Sequence, residues 1–123
     1  MHACWVNENN IWLGRYGEDR ACEYLDRLGY QILQRNARNK AGEIDIIATD
    51  QGTLVFVEVK TRTTTGAGHP FQAITSGKLA RIRRVAAQWC STNQVHNAQV
   101  RFDAIGVIVS GGRVSVEHLK QVH

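Results

Sequence analysis

The chain has 123 residues, a formal net charge of +4, 43% hydrophobic residues and 21% charged ones. That length supplies one domain with its own core and not two, and the composition is neither disordered, fibrous nor collagenous. No run is apolar enough to span a bilayer, and the opening MHACWVNENN lacks the basic start and apolar stretch of a signal peptide. A cytoplasmic protein with no membrane partner is therefore expected. Cys4, Cys22 and Cys90 are odd in number and form no CxxC pair, so they read as reduced thiols rather than a zinc knuckle or disulfide frame.

Residues 1–10 show no periodicity and read as a loose tail, leaving 11–123 as a single domain. From about Trp12 to Gly29 the pattern is helical, with Ala21, Leu25 and Leu28 at the spacing of a buried stripe. Glu18 falls on that stripe, where a carboxylate is costly unless it is paired, protonated or bound to a cation. In a first helical turn it would instead complement the dipole close to solvent, and position alone does not choose between the two. Gly29 ends the helix as a C′ residue. Gln31 to Asn36 reads as a first strand, and Ala37 to Ala41 as a loop.

Gly42 to Ala48, GEIDIIA, alternates as a second strand, with Glu43 and Asp45 on one face and Ile44, Ile46 and Ala48 on the other. Asp50-Gln51-Gly52 is a turn signal, and Leu54 to Arg62, LVFVEVKTR, is a third strand that pairs back as an antiparallel hairpin. Val55, Val57 and Val59 point one way. The opposite face runs Leu54, Phe56, Glu58, Lys60, Arg62 and changes from apolar to charged halfway along. Glu58 and Lys60 then stand about 6 to 7 Å apart on one face, and hairpin pairing brings Asp45 towards both.

Thr63 to Phe71 is a polar, glycine-bearing loop holding the only proline, Pro70. A helix follows from Thr75 or Ser76 to Cys90, with Leu79, Ile82, Val85, Ala86 and Trp89 inward and Arg81, Arg84 and Gln88 outward. Lys78 stands at its start, placed to lean towards the sheet. Val100 to Val109 is a strand interrupted by Asp103, and Ser110 to Arg113 a turn before a last strand, Val114 to Leu119. The order α-β-β-β-α-β-β fits an α/β sandwich around a mixed sheet. Between Glu58 and Asp103 there is no acidic residue, while Lys60, Arg62, Lys78, Arg81, Arg83, Arg84 and Arg101 fall there or at its edge. Such a basic span beside a carboxylate cluster fits a polyanionic partner, with Arg62, Lys78, Arg81 and Arg84 as nucleic-acid contacts.

Phosphodiester hydrolysis needs a more acidic water, neutralised transition-state charge and a stabilised leaving oxygen. A divalent cation supplies most of this, and Mg²⁺ is held by one or two carboxylates while keeping several waters. Asp45 and Glu58 offer that pair, the main-chain carbonyl of Val59 a third oxygen, and Lys60 a group to orient the water and offset negative charge.

The spacing D-x12-E-x-K over Asp45, Glu58 and Lys60 resembles the core of the PD-(D/E)XK, or restriction-endonuclease-like, nucleases. The wider pattern is similar to one bacterial group, the YraN family, related in fold to Holliday-junction resolvases. It comprises Gly14, Gly17, Glu18 and Ala21, then G-Y, R-N, GEIDIIA, FVEVKTR, a lysine-led helix and RFDAIGV, and it runs from about Trp12 to Leu119. The resemblance implies a restriction-endonuclease-like sandwich with a central mixed sheet flanked by helices. It implies Glu18, Asp45 and Glu58 as ligands of the Mg²⁺ or Mn²⁺ site, beside the Val59 carbonyl read above as a further oxygen, Asp45, Glu58 and Lys60 as catalytic residues, and Thr61 and Arg62 as phosphate contacts. Ile44 stands where the superfamily's name has proline, a side chain the metal does not touch. The implied activity is a metal-dependent endonuclease acting on DNA, branched or structured by analogy, with a homodimer needed if two strands are cut symmetrically. The competing expectation is a non-catalytic nucleic-acid-binding module keeping the fold, against which the intact Asp45, Glu58 and Lys60 argue.

Overall fold

The computed structural model describes residues 3–63, 71 and 74–122, with side chains from residue 11 onward. The order is α1 (Ala3–Arg27), β1 (Gln31–Asn39), β2 (Gly42–Asp50), β3 (Thr53–Arg62), α2 (Ser76–Thr92), β4 (Val100–Ser110) and β5 (Arg113–Leu119). The strands form one mixed sheet in the order β1-β2-β3-β4-β5. Neighbours are antiparallel except β3 and β4, which run parallel across the α2 crossover. Among the described residues no helix is long and apolar enough to cross a membrane.

β3 is the central strand, and Leu54 to Val57 are buried on both faces. One core joins Ala21 and Leu25 of α1 to Ile46, Ala48, Val55, Val57, Ile105 and Val107. The other joins Ile82, Val85 and Ala86 of α2 to Ala37, Ile44, Ile47, Leu54 and Phe56. The alternation expected along β3 is thus the division between the two layers. Two turns close tightly because residues of positive φ sit in them: Gln51 (50°) with Gly52 (87°), and Gly111 (54°) with Gly112 (77°). Positive φ at both turn residues matches the right-handed twist of the strands it joins.

The structure corrects three boundaries. Backbone helix begins at Ala3 rather than Trp12, so the expected tail over 1–10 is helical from there. No glycine or proline lies between Ala3 and Leu13 to stop it. β1 continues to Asn39 through the expected loop, because Ala37 pairs with Ile44 and is buried beneath α2. Leu28, expected in the core, is 51% exposed. The helix ends at Arg27, Gly29 turns the chain at φ 94°, and the Tyr30 N–H donates back to Leu25 O at 3.0 Å, so Tyr30 takes the buried place. Most of the loop expected over Thr63 to Phe71, residues 64–70, lies outside the described residues.

Candidate active site at the forked end of the central hairpin

Pairing between β2 and β3 runs from Asp50↔Thr53 to Ile46↔Val57 and stops there. One further step in the same register would set Asp45 directly opposite Glu58. Instead the strands part, β2 staying with β1 as far as Asn39↔Gly42 and β3 staying with β4 as far as Arg62↔Ile108. The fork leaves main-chain groups without a ladder partner, and a side chain takes one of them. The Val59 N–H donates to Asp45 Oδ2 at 2.8 Å. In an extended residue the N–H and C=O point the same way across the sheet, so the Val59 carbonyl is directed into the fork as well.

Asp45 also stands where β2 loses its alternation. Ile46 packs in the α1-side core and Ile44 in the α2-side core, although a regular strand would put both on one face. This irregularity lets Asp45 meet Glu18 from one layer and Glu58 from the other. Burial and then the Glu58 charge push the Asp45 carboxyl up to about 7, with the hydrogen bond from Val59 opposing them. Burial, and after it the charge of Asp45, also raises Glu18. A side-chain hydrogen bond from Asn36 and the Arg35 guanidinium 3.7 Å away pull Glu18 the other way. Three acids from α1, β2 and β3 therefore share one electrostatic neighbourhood.

Two lysines face them. Burial and then the charge of Lys78 lower the Lys60 ammonium, while Glu58 and Asp45 act in the opposite sense. Lys78 Nζ lies 3.8 Å from Glu58 Oε2. Lys78 is in the first turn of α2, where Thr75 caps the helix and accepts from the Lys78 N–H at 3.2 Å. A cation there opposes the helix dipole by some tenths of a kcal/mol to about 1, a cost Glu58 offsets.

Glu18 reaches the fork because α1 lies hard against β3. A Cβ added at Gly17 would overlap Thr61 Oγ1, so only glycine admits this approach. Beside that contact opens a groove of about 380 Å³ lined by Leu13, Gly14 and Glu18 of α1 and by Lys60, Thr61 and Arg62 of β3.

The donors present fit a hard divalent cation held partly by water. Two carboxylates brought side by side, one of them pushed up to about 7 by burial and then by the other's charge, are what an added cation would relieve. No group of three or more His, Cys, Asp or Glu side chains among the described residues is close enough to hold an ion by itself. Asp45, Glu58 and the Val59 carbonyl are the groups that could hold such an ion, with Glu18 beside them.

Of the expected nucleic-acid contacts, Arg62 lines the groove and Lys78 enters the site. Arg81 and Arg84 stay on the exposed side of α2, and Arg81 packs against the turn at Gly42. Arg101 leaves the expected basic surface altogether. Its guanidinium donates to Asp103 Oδ1 (2.8 Å) and Oδ2 (3.0 Å), to Asp50 Oδ2 (3.2 Å) and to the Tyr30 hydroxyl (2.6 Å). Asp103 is 2% exposed and also accepts from His118 Nε2 at 2.7 Å and from the Gln121 N–H at 3.2 Å. With Nε2 donating, His118 Nδ1 accepts from the Tyr24 hydroxyl at 3.1 Å. Burial alone would raise Asp103, but His118, Arg101 and Gln121 hold it down at about 2. Asp103 is an internal tie between β4, β5 and the ends of α1 and β2. Arg35 and Asn36 enter the sequence pattern only as its R-N block, with no role attached. Asn36 stands at φ 53°, a conformation that asparagine tolerates and a strand pattern does not announce.

The family model described as "Uncharacterised protein family UPF0102" matches residues 17–107, which hold every residue of the fork. A UPF0102 protein of Beutenbergia cavernae is 45% identical over 111 residues, covering 89% of this chain and 94% of that protein. One from Pseudarthrobacter chlorophenolicus is 48% identical over 111 residues, covering 89% and 84%. Another, from Leifsonia xyli subsp. xyli, is 52% identical over 96 residues, covering 78% and 81%. The α/β chain built around this forked hairpin belongs to the UPF0102 family.

Proposed function

We propose that the protein is a metal-dependent endonuclease of the restriction-endonuclease-like class, hydrolysing phosphodiester bonds in DNA at the fork between β2 and β3. The observation that carries this reading is the meeting of Asp45 and Glu58 at the fork, where burial first and the Glu58 charge second push Asp45 up to about 7, with Lys60 and Lys78 alongside. An ordinary surface ion-pair ladder would set each acid against a base; here Glu58 has Lys78 at 3.8 Å, but Asp45 faces a second acid. Mg²⁺ or Mn²⁺ held by Asp45, Glu58 and the Val59 carbonyl would supply Lewis-acid stabilisation and a more acidic water. Lys60, lowered by burial and by Lys78, is placed to orient the attacking water and to take a proton. Lys78 offsets charge on the phosphate from the α2 side, and the Val59 N–H holds the Asp45 carboxylate in place.

The test is nicking of branched, single-stranded and duplex DNA with Mn²⁺, repeated with Asp45→Asn and Lys60→Ala. Loss of about 10²-fold or more in rate is expected for each. Cleavage undiminished in either variant removes this active site. The second reading, a nucleic-acid-binding module without catalysis, draws on the lack of a three-ligand cluster among the described residues. Binding that falls steeply with salt, with no nicking under any divalent ion, would favour it.

A further inference from the structure

Asn36 stands inside β1 at φ 53°, a backbone conformation that a regular strand does not use. Its effect shows in the side chains around it. Gln34 Oε1 accepts from Trp89 Nε1 of α2 at 2.9 Å, and Ala37 is buried in the α2-side core. Alternation sets residues of one face two apart, and these are three apart. The two residues between them both turn to the other layer. Arg35 donates to Asp19 of α1 at 2.8 Å, and the Asn36 amide donates to the Glu18 carboxylate.

β2 carries the matching irregularity. Ile44 and Ile47 both lie in the α2-side core, with Ile46 in the core beneath α1. The register sets Gln34 against Ile47, Arg35 against Ile46 and Ala37 against Ile44, so the rung between falls to Asn36 and Asp45. The two strands shift face together there and keep one register across the shift. Asp45 owes its place between the layers to that rung, and Asn36 is the residue of positive φ in it.

Asparagine enters the left-handed region at less cost than most residues, and glycine at less cost still. What glycine lacks is the amide, and here the amide holds Glu18. The nearest guanidinium, Arg35, is 3.7 Å from Glu18 and closer to Asp19. A carboxylate in the field of Asp45 would otherwise turn towards water.

We propose that Asn36 is a positioning residue for the divalent-cation site: its left-handed backbone sets the rung that presents Asp45, and its amide holds Glu18 where a third acid joins the ion. The role rests on the nuclease reading for the ion, and goes beyond it by giving a neutral residue of β1 a part in building the site.

The experiment is Mn²⁺ binding by calorimetry, with thermal unfolding of the same proteins in EDTA. Asn36→Gly keeps the backbone and removes the amide, and should weaken Mn²⁺ about tenfold, as loss of a hydrogen bond to a metal ligand does. Glu18→Gln should weaken it at least as much. The double variant should be no weaker than Glu18→Gln alone, because the amide acts only through that carboxylate. Asn36→Ala disfavours the left-handed backbone as well, so it should bind Mn²⁺ more weakly than Asn36→Gly and melt at a lower temperature in EDTA. Asn36→Gly or Glu18→Gln binding Mn²⁺ like the parent overturns the role, as do losses at the two positions that simply multiply. Equal affinity in Asn36→Ala and Asn36→Gly overturns the part given to the backbone. A parent that binds no Mn²⁺ overturns the nuclease reading and the role with it, whereas a parent that binds Mn²⁺ no better than Asn36→Gly overturns the role alone.

Discussion

Asp45 and Asp103 are both acids withdrawn from water in one five-stranded sheet, yet protons favour the first and are held off the second. Asp103 is met by a guanidinium, an imidazole and a main-chain N–H, and sits at about 2. Asp45 is met by one main-chain N–H and by another acid, and is pushed up to about 7. Burial is common to the two, so their partners decide the outcome. A buried acid with a full set of donors is architecture. One left facing a second acid is a candidate for function, because an added positive charge would relieve it.

Four measurements would break or sharpen this contrast. The largest expected effect is on the satisfied acid. Asp103→Asn leaves Arg101 and His118 without their anion and should cost about 3 to 5 kcal/mol in denaturant unfolding. The depressed pKa means that this stabilisation is present above the unfolded value near 4 and is lost as pH falls towards 2. A variant as stable as the parent at neutral pH would remove Asp103 from the framework.

Gly17→Ala should destabilise by about 1 to 3 kcal/mol through overpacking against Thr61, although alanine alone would favour the helix by about 1 kcal/mol. Thr61→Ala in the same chain should restore most of the loss, and a cycle without coupling would deny the contact.

Asp45→Asn should do the reverse of Asp103→Asn and stabilise the ion-free protein. Because the folded pKa is raised, the folded state holds the proton where the unfolded chain has released it, so parent stability falls as pH climbs from about 4 to about 7. The gain from asparagine should therefore be small at pH 4 and at least about 1.4 kcal/mol at pH 8, the equivalent of one pKa unit. A gain that shrinks with rising pH would contradict the acid-against-acid geometry. The smallest effect concerns affinity: Mn²⁺ must displace the Asp45 proton, so its binding by calorimetry should weaken by up to about tenfold per pH unit below 7, with proton release. Affinity independent of pH would separate the ion from Asp45.

Period-two alternation in LVFVEVKTR, together with the turn at Gln51-Gly52, made the hairpin and its antiparallel pairing legible in the sequence. The closeness of Asp45 to Glu58 followed from the same register. Where pairing stops was not legible, because no residue at Ile46 or Val57 signals a fork; beyond them β2 stays with β1 and β3 with β4. Arg101 looked like surface charge because composition cannot tell a cation facing solvent from one tied to Asp103 and Asp50. Leu28 was misplaced for a different reason: a helical stripe extrapolates past the end of its helix, and Gly29 had already ended it. Glu18 could be weighed only as inward or near solvent, since its neighbour Asn36 takes a backbone conformation that no pattern foretells.

The parting of β2 from β3 has a consequence for how the molecule can change. Side chains just past the last rung contribute little to the cohesion of the hairpin, which is secured by Ile46, Val57 and the residues behind them. Chemistry at that mouth can accordingly be rewritten one acid at a time while the scaffold stays folded, and loss of Asp45 should raise rather than lower the unfolding temperature above pH 7.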